Sequence, residues 1–508
     1  MRQAAKTLGW TAAAVLALSA QAHAETLAEA IELAYSGNPD LQQARANSRS
    51  VDEGLVQARA RYQPQLQLGL SGQYSKGPTT DLFGNALTEE TNRGSATVVL
   101  TQPLYTGGLV KAQVRQATND VEGQRQTLRS AEANLLFQVT SAYMDVLRDR
   151  QALEINRAAL TAFSREVDEI NARQRAGELT RTDVAQAQAQ LQNQQAVVNT
   201  ATAQLETSIA AYVTAVGQNP GTLEVPATLP GLPANIDEAF ALAEQNSPSL
   251  ATAQARARSA QTRVDQARAS YLPKVSLEAR YGYSGQLDPF DRDNYRYGLT
   301  GALTVTQPLF TGGVRSSQVR QTKADADASQ GAVDSARRNV VQNTANAWNA
   351  MVTAGRNVDV ATAAVEATTE GFRGMQIEYR ADQRSTFELL NAESNLYAAQ
   401  LALLNAKRDQ YVASARLLGV VGRLEATSLI PELKAYDADA GSKRMTRWLV
   451  SPTGLLPAVL DTASLPATKA KAPAPVTISG RTPTLRPAVG LPAKDAPLTA
   501  KLPTKSGK

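Results

Sequence analysis

The chain contains no cysteine, and its one histidine is His23. Thiol nucleophiles, disulfides and thiolate metal ligands are therefore missing from its chemistry. His23 lies in a segment expected to be removed on export, which also takes away serine–histidine relays and histidine–metal sites. Carboxylates remain, but no pair of them stands in a catalytic pattern, although a secreted hydrolase using carboxylates alone stays open as a reading. The sequence thus predicts no catalytic residue, no metal and no cofactor. Its most distinctive side-chain pattern is a turn, Thr101-Gln102-Pro103-Leu104-Tyr105-Thr106-Gly107-Gly108. It recurs as Thr306-Gln307-Pro308-Leu309-Phe310-Thr311-Gly312-Gly313. Proline lacks an N–H and glycine tolerates left-handed backbone, so such a motif reverses a chain rather than reacts.

The elements that carry these turns form an internal duplication. Asn38-Pro39-Asp40-Leu41 matches Ser247-Pro248-Ser249-Leu250 at an offset of 209 (247 − 38). Gln57-Ala58-Arg59-Ala60 matches Gln266-Ala267-Arg268-Ala269 at the same offset, and so does Tyr62-x-Pro64 with Tyr271-x-Pro273. From the turn onward the offset is 205 (306 − 101), which also relates Tyr143 to Trp348, Asp183 to Glu388 and Gly217 to Gly422. The second copy is four residues shorter (209 − 205) in the interval holding its strands and loop. Loops absorb length changes more readily than packed helices.

Each copy opens with a helix. Thr26 with Glu29, and Asn235 with Glu238, have capping spacing, and Asn38-Pro39 breaks the first run. Pro64 and Pro273 end the helical pattern. Alternating residues then predict strands at about 65–75, 94–103, 274–284 and 295–306, with turn-rich loops at 76–93 and 286–295. Long helices follow at about 110–216 and 315–419, interrupted at Ala176-Gly177 and Ala381-Asp382. An uninterrupted stretch of about 65 residues reaches roughly 100 Å. Such helices need neighbours along their length. Many of their apolar positions are alanine, as at Ala185, Ala187 and Ala189, which favours close packing and makes assembly necessary.

Arg2, Lys6, the apolar run Leu8–Leu18 and Ala22-His23-Ala24 predict a signal peptide over 1–24. The first repeat then spans 25–229, the second 230–433, and a basic Pro/Ala/Lys-rich flexible periplasmic tail 434–508. The formal charge is +5, from 52 basic and 47 acidic residues. The tail carries much of the positive excess, and with the export signal this argues against nucleic acid as a partner. Tail contact with peptidoglycan or anionic lipid is one reading; a merely solubilising tail is the other.

Each strand has the length needed to cross an outer membrane when tilted. The same alternation suits a half-buried soluble sheet. If the strands enter lipid, four are too few for a closed barrel, because the smallest common barrels have about eight. Several chains must then share one barrel.

The paired strand–helix units, with Gln102-Pro103-Leu104-Tyr105-x-Gly107-Gly108 and its second copy Gln307–Gly313, resemble the TolC-type outer-membrane efflux family. The resemblance covers about 25–433, and the lack of an N-terminal cysteine is similar to its non-lipidated members. It implies a mainly α fold with a membrane β-barrel: a homotrimer sharing twelve strands, continued by an α-helical periplasmic tunnel. Partners would be outer-membrane lipid, a periplasmic adaptor, and an inner-membrane ABC or proton-driven transporter. The role implied is a passive exit duct for type I secretion or multidrug efflux. The rival is a soluble periplasmic coiled-coil adaptor or structural protein. By motif match, Thr182 and Asp183 would latch the periplasmic entrance by accepting from Tyr379 and Arg384, and Glu388 and Asn391 would line it. Asn391 stands where the family's TolC member is acidic, so one carboxylate ring is expected instead of two.

Overall fold

A computed structural model describes residues 25–287, 295–381, 383–433 and 435–437. The expected signal peptide and the tail other than 435–437 lie outside them. Two helices come first, α1 (Leu27–Gly37) and α2 (Pro39–Ala60). Strands β1 (Gln65–Thr80) and β2 (Ala86–Tyr105) follow, then α3 (Leu109–Arg175) and α4 (Arg181–Val216). The same order repeats as α5 (Ile236–Asn246), α6 (Pro248–Ala269), β3 (Lys274–Gln286), β4 (Tyr295–Thr306), α7 (Val314–Arg380) and α8 (Thr386–Val420). A short α9 (Ala426–Leu429) ends the series. Matching helices agree in length to within one residue: α3 and α7 both hold 67 residues, α2 and α6 both hold 22, and α4 and α8 hold 36 and 35.

Local sequence explains the helix ends. Thr26 and Glu29 form the expected reciprocal capping box. The Asn38 side chain accepts from the N–H groups of Asp40 and Leu41, while Pro39 starts α2 where a missing N–H costs nothing. Asn235 accepts from Glu238 N at 2.8 Å. Gly177, at φ +86°, follows the end of α3 and lets the chain reverse into α4.

The four strands form one antiparallel sheet in the order β1-β2-β3-β4. Register puts Leu68, Val98, Tyr281 and Leu299 in one row across it. That face also carries Leu66, Leu70, Tyr297 and Leu303, all more than 60 % exposed. The opposite face carries Gln67, Gln73, Thr101, Arg280 and Thr304. The first hairpin is longer than the alternation predicts, because the ladder continues to Thr80↔Ala86 through the expected loop. Apolar alternation stops there, but backbone pairing does not depend on it. Lys76 and Glu90 face each other and form an ion pair, and Asp81 closes the turn by accepting from Phe83 N and Asn85 N.

The largest apolar cluster joins α1, α3, α4 and α8 and includes Ile31, Leu136, Val139, Tyr143, Tyr212 and Leu418. The Tyr143 hydroxyl is buried within reach of two carbonyls, Glu25 O at 2.7 Å and Glu224 O at 2.6 Å. Burial pushes its pKa up to about 12. Tyr212 Oη donates to Glu25 Oε1 at 2.6 Å, so both tyrosines tie the segment before α1 to the long helices. Tyr143→Phe is expected to cost about 1–3 kcal/mol by leaving buried acceptors short of a donor. Thermal unfolding of the helical signal checks this, and an unchanged midpoint contradicts it.

Candidate functional site

Two places gather the residues singled out in the sequence. One is the strand-to-helix turn. At Pro103 the β2–β3 register shifts, since proline brings no N–H to the ladder. Gly107 and Gly108 adopt φ of +67° and +80°, a region that disfavours side chains. A Cβ on Gly107 would stand 2.9 Å from Leu272 Cβ and 3.1 Å from Ala269 O. Gly312 and Gly313 repeat the conformation at +59° and +85°, yet a Cβ on Gly312 meets nothing. Pro308 lies two residues beyond the end of β4. Sequence reasoning missed the glutamine of the motif. Gln102 Nε2 donates to Tyr62 O at 3.0 Å, and Gln307 Nε2 donates to Tyr271 O at 2.8 Å. Each glutamine clamps the chain before one strand to the end of the next. Its recurrence in both copies was the available signal.

The other place is the pair of helix–helix turns, α3–α4 and α7–α8. Asp183 is the third residue of α4 and serves a capping box with Thr180, accepting from Thr180 N at 2.9 Å and Thr180 Oγ1 at 2.6 Å. Those bonds hold its pKa below the usual carboxylate range. Glu388 does the same for Ser385 at the start of α8, and its pKa is lowered chiefly by that backbone bond. Arg384 lies between two carboxylates, with Nε 2.7 Å from Glu378 and Nη1 3.0 Å from Glu388. Thr182 and Asn391 are exposed. Tyr379 is buried against Arg173, whose guanidinium lies 5.3 Å from the ring centre. Among the described residues the Tyr379 hydroxyl has no hydrogen-bond partner. No described hydrogen bond joins Thr182 or Asp183 to Tyr379 or Arg384 within the chain; each charged member is held by its own turn instead. Both capping boxes were legible as Thr180-x-x-Asp183 and Ser385-x-x-Glu388.

A little farther along α8, Glu393 is 8 % exposed and accepts from Tyr397 Oη at 3.4 Å, while Leu390 and Tyr397 of the same helix pack with Phe163 and Ile170. Burial, then the neighbouring Glu166 of α3, push its pKa from 4.5 up to about 7. Burial and Glu169 raise Glu166 as well, while Arg173 and Arg380 act in the opposite direction. The sequence offered no sign of this acidic pair, because its members are 227 residues apart (393 − 166).

The family model described as "Outer membrane efflux protein" matches twice, over residues 30–218 and 240–423. The chain belongs to the outer membrane efflux protein family. The two matched stretches follow the two copies of the repeat. Outer membrane efflux protein BepC of Brucella suis is 32 % identical over 435 residues, covering 85 % of this chain and 93 % of the relative. Outer membrane protein TolC of Escherichia coli is 25 % identical, covering 81 % and 85 %. In fold, the CmeC outer membrane channel of Campylobacter jejuni superposes with a TM-score of 0.70 at 16 % identity, over 83 % of this chain and 89 % of that one. This efflux protein is accordingly an outer-membrane exit duct, a transport channel rather than an enzyme, with an extended periplasmic helical region. The soluble adaptor reading falls with that assignment, and it also leaves the exposed apolar sheet face unexplained.

Because the neutral form of Glu393 is favoured in the packed state, its contribution to packing is complete below about pH 4.5 and is lost as pH rises through about 7. Glu393→Gln is expected to remove that dependence and to protect the first turns of α8 at pH 8. Amide hydrogen exchange of 386–396 measured at pH 5 and pH 8 checks it. Equal protection at both values in the unaltered chain contradicts it.

Proposed function

We propose that three copies of this chain share one twelve-stranded barrel, each giving four strands, and that their helices continue as one periplasmic tunnel. The observation carrying this reading is the sheet: four strands, an exposed apolar face, and unpaired edges at β1 and β4 among the described residues. In lipid an unpaired edge leaves backbone groups without partners, each costing several kcal/mol. Closing the edges with identical copies satisfies them all. The sequence units take matching parts: 1–24 directs export, 25–229 and 230–433 form successive segments of the wall, and 434–508 is a periplasmic tail.

The α3–α4 and α7–α8 turns form the periplasmic entrance in this reading. An adaptor and an ABC or proton-driven inner-membrane transporter engage there and supply the energy. The cargo, a protein or a small toxic compound, is selected upstream, and the duct passes it without bond chemistry. Thr182, Asp183, Tyr379 and Arg384 act as the latch and Glu388 and Asn391 line the opening. The local geometry adds a condition. Arg384 already holds Glu378 and Glu388, and Asp183 is engaged by Thr180, so any latch between helices trades against these pairs.

Three Glu388 carboxylates then form the entrance ring, each opposed by its own Arg384. Acidic rings favour cations. Single-channel recordings in planar bilayers are expected to show weaker cation preference for Glu388→Gln and stronger preference for Arg384→Gln. Unchanged selectivity in both variants contradicts the assignment of this turn to the entrance.

A further inference from the structure

We propose that the hairpin-side part of the polar sheet face is a binding site for polyanions, ligands with two or more phosphate, sulfate or carboxylate groups, gripped by Arg93 and Arg296. Its place in the duct rests on the barrel proposed above, but every residue of one site comes from one chain. Register assembles it. Ser71 pairs with Ser95, Ser95 with Ser284, and Ser284 with Arg296, a continuous row across the four strands. The next row on the same face holds Gln73, Arg93 and Gln286. None of these side chains is acidic, and all of them border a cavity of about 610 Å³.

The chemistry of the patch suits oxyanions. Arg93 and Arg296 are exposed, and among the described residues neither has a carboxylate within ion-pair distance. Arginine keeps its charge at any ordinary pH and presents a planar fork of donors to phosphate or carboxylate. The two arginines stand two strands apart and two residues out of step, so their Cα atoms are roughly 12 Å apart. That spacing fits a ligand with several anionic groups better than a single small ion. Ser284 and Gln286 of β3 lie between them and add neutral donors. Nearby carboxylates are engaged or distant. Glu278 pairs with Arg280 at 3.0 Å, nearer the helices. Glu90 borders the cavity but belongs to the other face, where it pairs with Lys76. Glu89 shares the polar face but lies four residues beyond Arg93, roughly 13 Å along β2.

The opposite face tells where the patch sits. Ser71 is six residues from the start of β1 at Gln65, roughly 20 Å from the helical end of the sheet. An outer-membrane barrel has an apolar band about 25 Å tall, edged by aromatic residues. Tyr283 and Tyr297, with ring centres 6.4 Å apart, occupy the row just before Ser71, and Tyr74 follows just after Gln73. These rings mark a membrane edge at the level of the two arginines. The polar face lines the lumen of such a barrel, so the arginines of each copy encircle its hairpin-side mouth. The duct then differs in sign at its ends, with Glu388 at the helical turn and guanidiniums at the mouth. Polyanions reach that mouth from two sources, as anionic cargo leaving or as anionic solute arriving from outside.

Tripolyphosphate is the probe. The full-length protein is added to one chamber of a planar bilayer, so that the hairpin end enters the lipid first, and its native mass in detergent is measured alongside. Tripolyphosphate on the hairpin side is expected to reduce the current at concentrations at least about tenfold below those needed on the helical side. Arg93→Gln with Arg296→Gln is expected to raise the hairpin-side half-blocking concentration at least about tenfold, through the lost charge-assisted hydrogen bonds. Block from the hairpin side alone assigns the site to arriving solute; weaker block from the helical side as well assigns it also to departing cargo. Equal or greater sensitivity from the helical side overturns the placement at the mouth. Asp288, Asp291 and Asp293, outside the described residues, are the competing partners of the arginines. If they hold them, the unaltered channel stays unblocked. Three-chain channels that conduct but are not blocked, or are blocked as readily in the double variant, overturn the site and leave the duct standing. A particle without three chains overturns the barrel reading. Calorimetric titration of the solubilised protein with tripolyphosphate then still decides the site, with binding expected for the unaltered chain and lost in the double variant.

Discussion

An antiparallel sheet placed in lipid must have a partner for every backbone N–H and C=O, and this chain alone does not supply them. Among the described residues its four strands leave β1 and β4 as edges, with Leu66, Leu68 and Leu70 exposed on one of them and Leu299, Leu303 and Val305 on the other. Much of the remaining molecule follows from that constraint. Pro103 shifts the register near the end of β2, Pro308 follows the end of β4, and the glycine pairs turn the chain into helices that leave the sheet. Gln102 and Gln307 fasten each exit to the neighbouring entry, which keeps strand and helix in fixed relation.

The helices meet the same requirement for neighbours in a different form. In α3, Leu136 is fully buried, while its counterpart Val341 in α7 is 49 % exposed. The first half is covered by the second within the chain, but the second is left open. Where cover exists, it is reinforced by buried and half-buried polar links. Arg408 of α8 meets Asp145 of α3 at 2.8 Å, and Ser208 of α4 donates to Asp149 of α3 at 2.5 Å. Buried charges without partners are costly, so such links favour one alignment of alanine-rich helices that could otherwise slide.

Much of this was legible in the residues. Helix ends followed from caps such as Thr26 and from breaks such as Asn38-Pro39, whose chemistry is local. The duplication was visible because the turn motif needs particular residue types, proline and glycine, at fixed places. The length of the first hairpin was not legible, since Lys76–Glu90 and the Asp81 turn extend the ladder with polar residues that read as loop. At the α3–α4 and α7–α8 turns, both capping boxes could be read, but the engagement of Arg384 by Glu378 depends on the turn's geometry. The burial of Glu393 beside Glu166 depends on the long-range packing of α8 on α3, which no local pattern encodes.

The central claim is that the sheet closes by sharing. It is tested most directly by a reconstruction of the detergent-solubilised particle at a resolution that separates strands. The account predicts twelve strands around one barrel, with β4 of each chain against β1 of the next. A barrel closed by the strands of a single chain, or a sheet whose β1 and β4 edges remain unpaired, would contradict it.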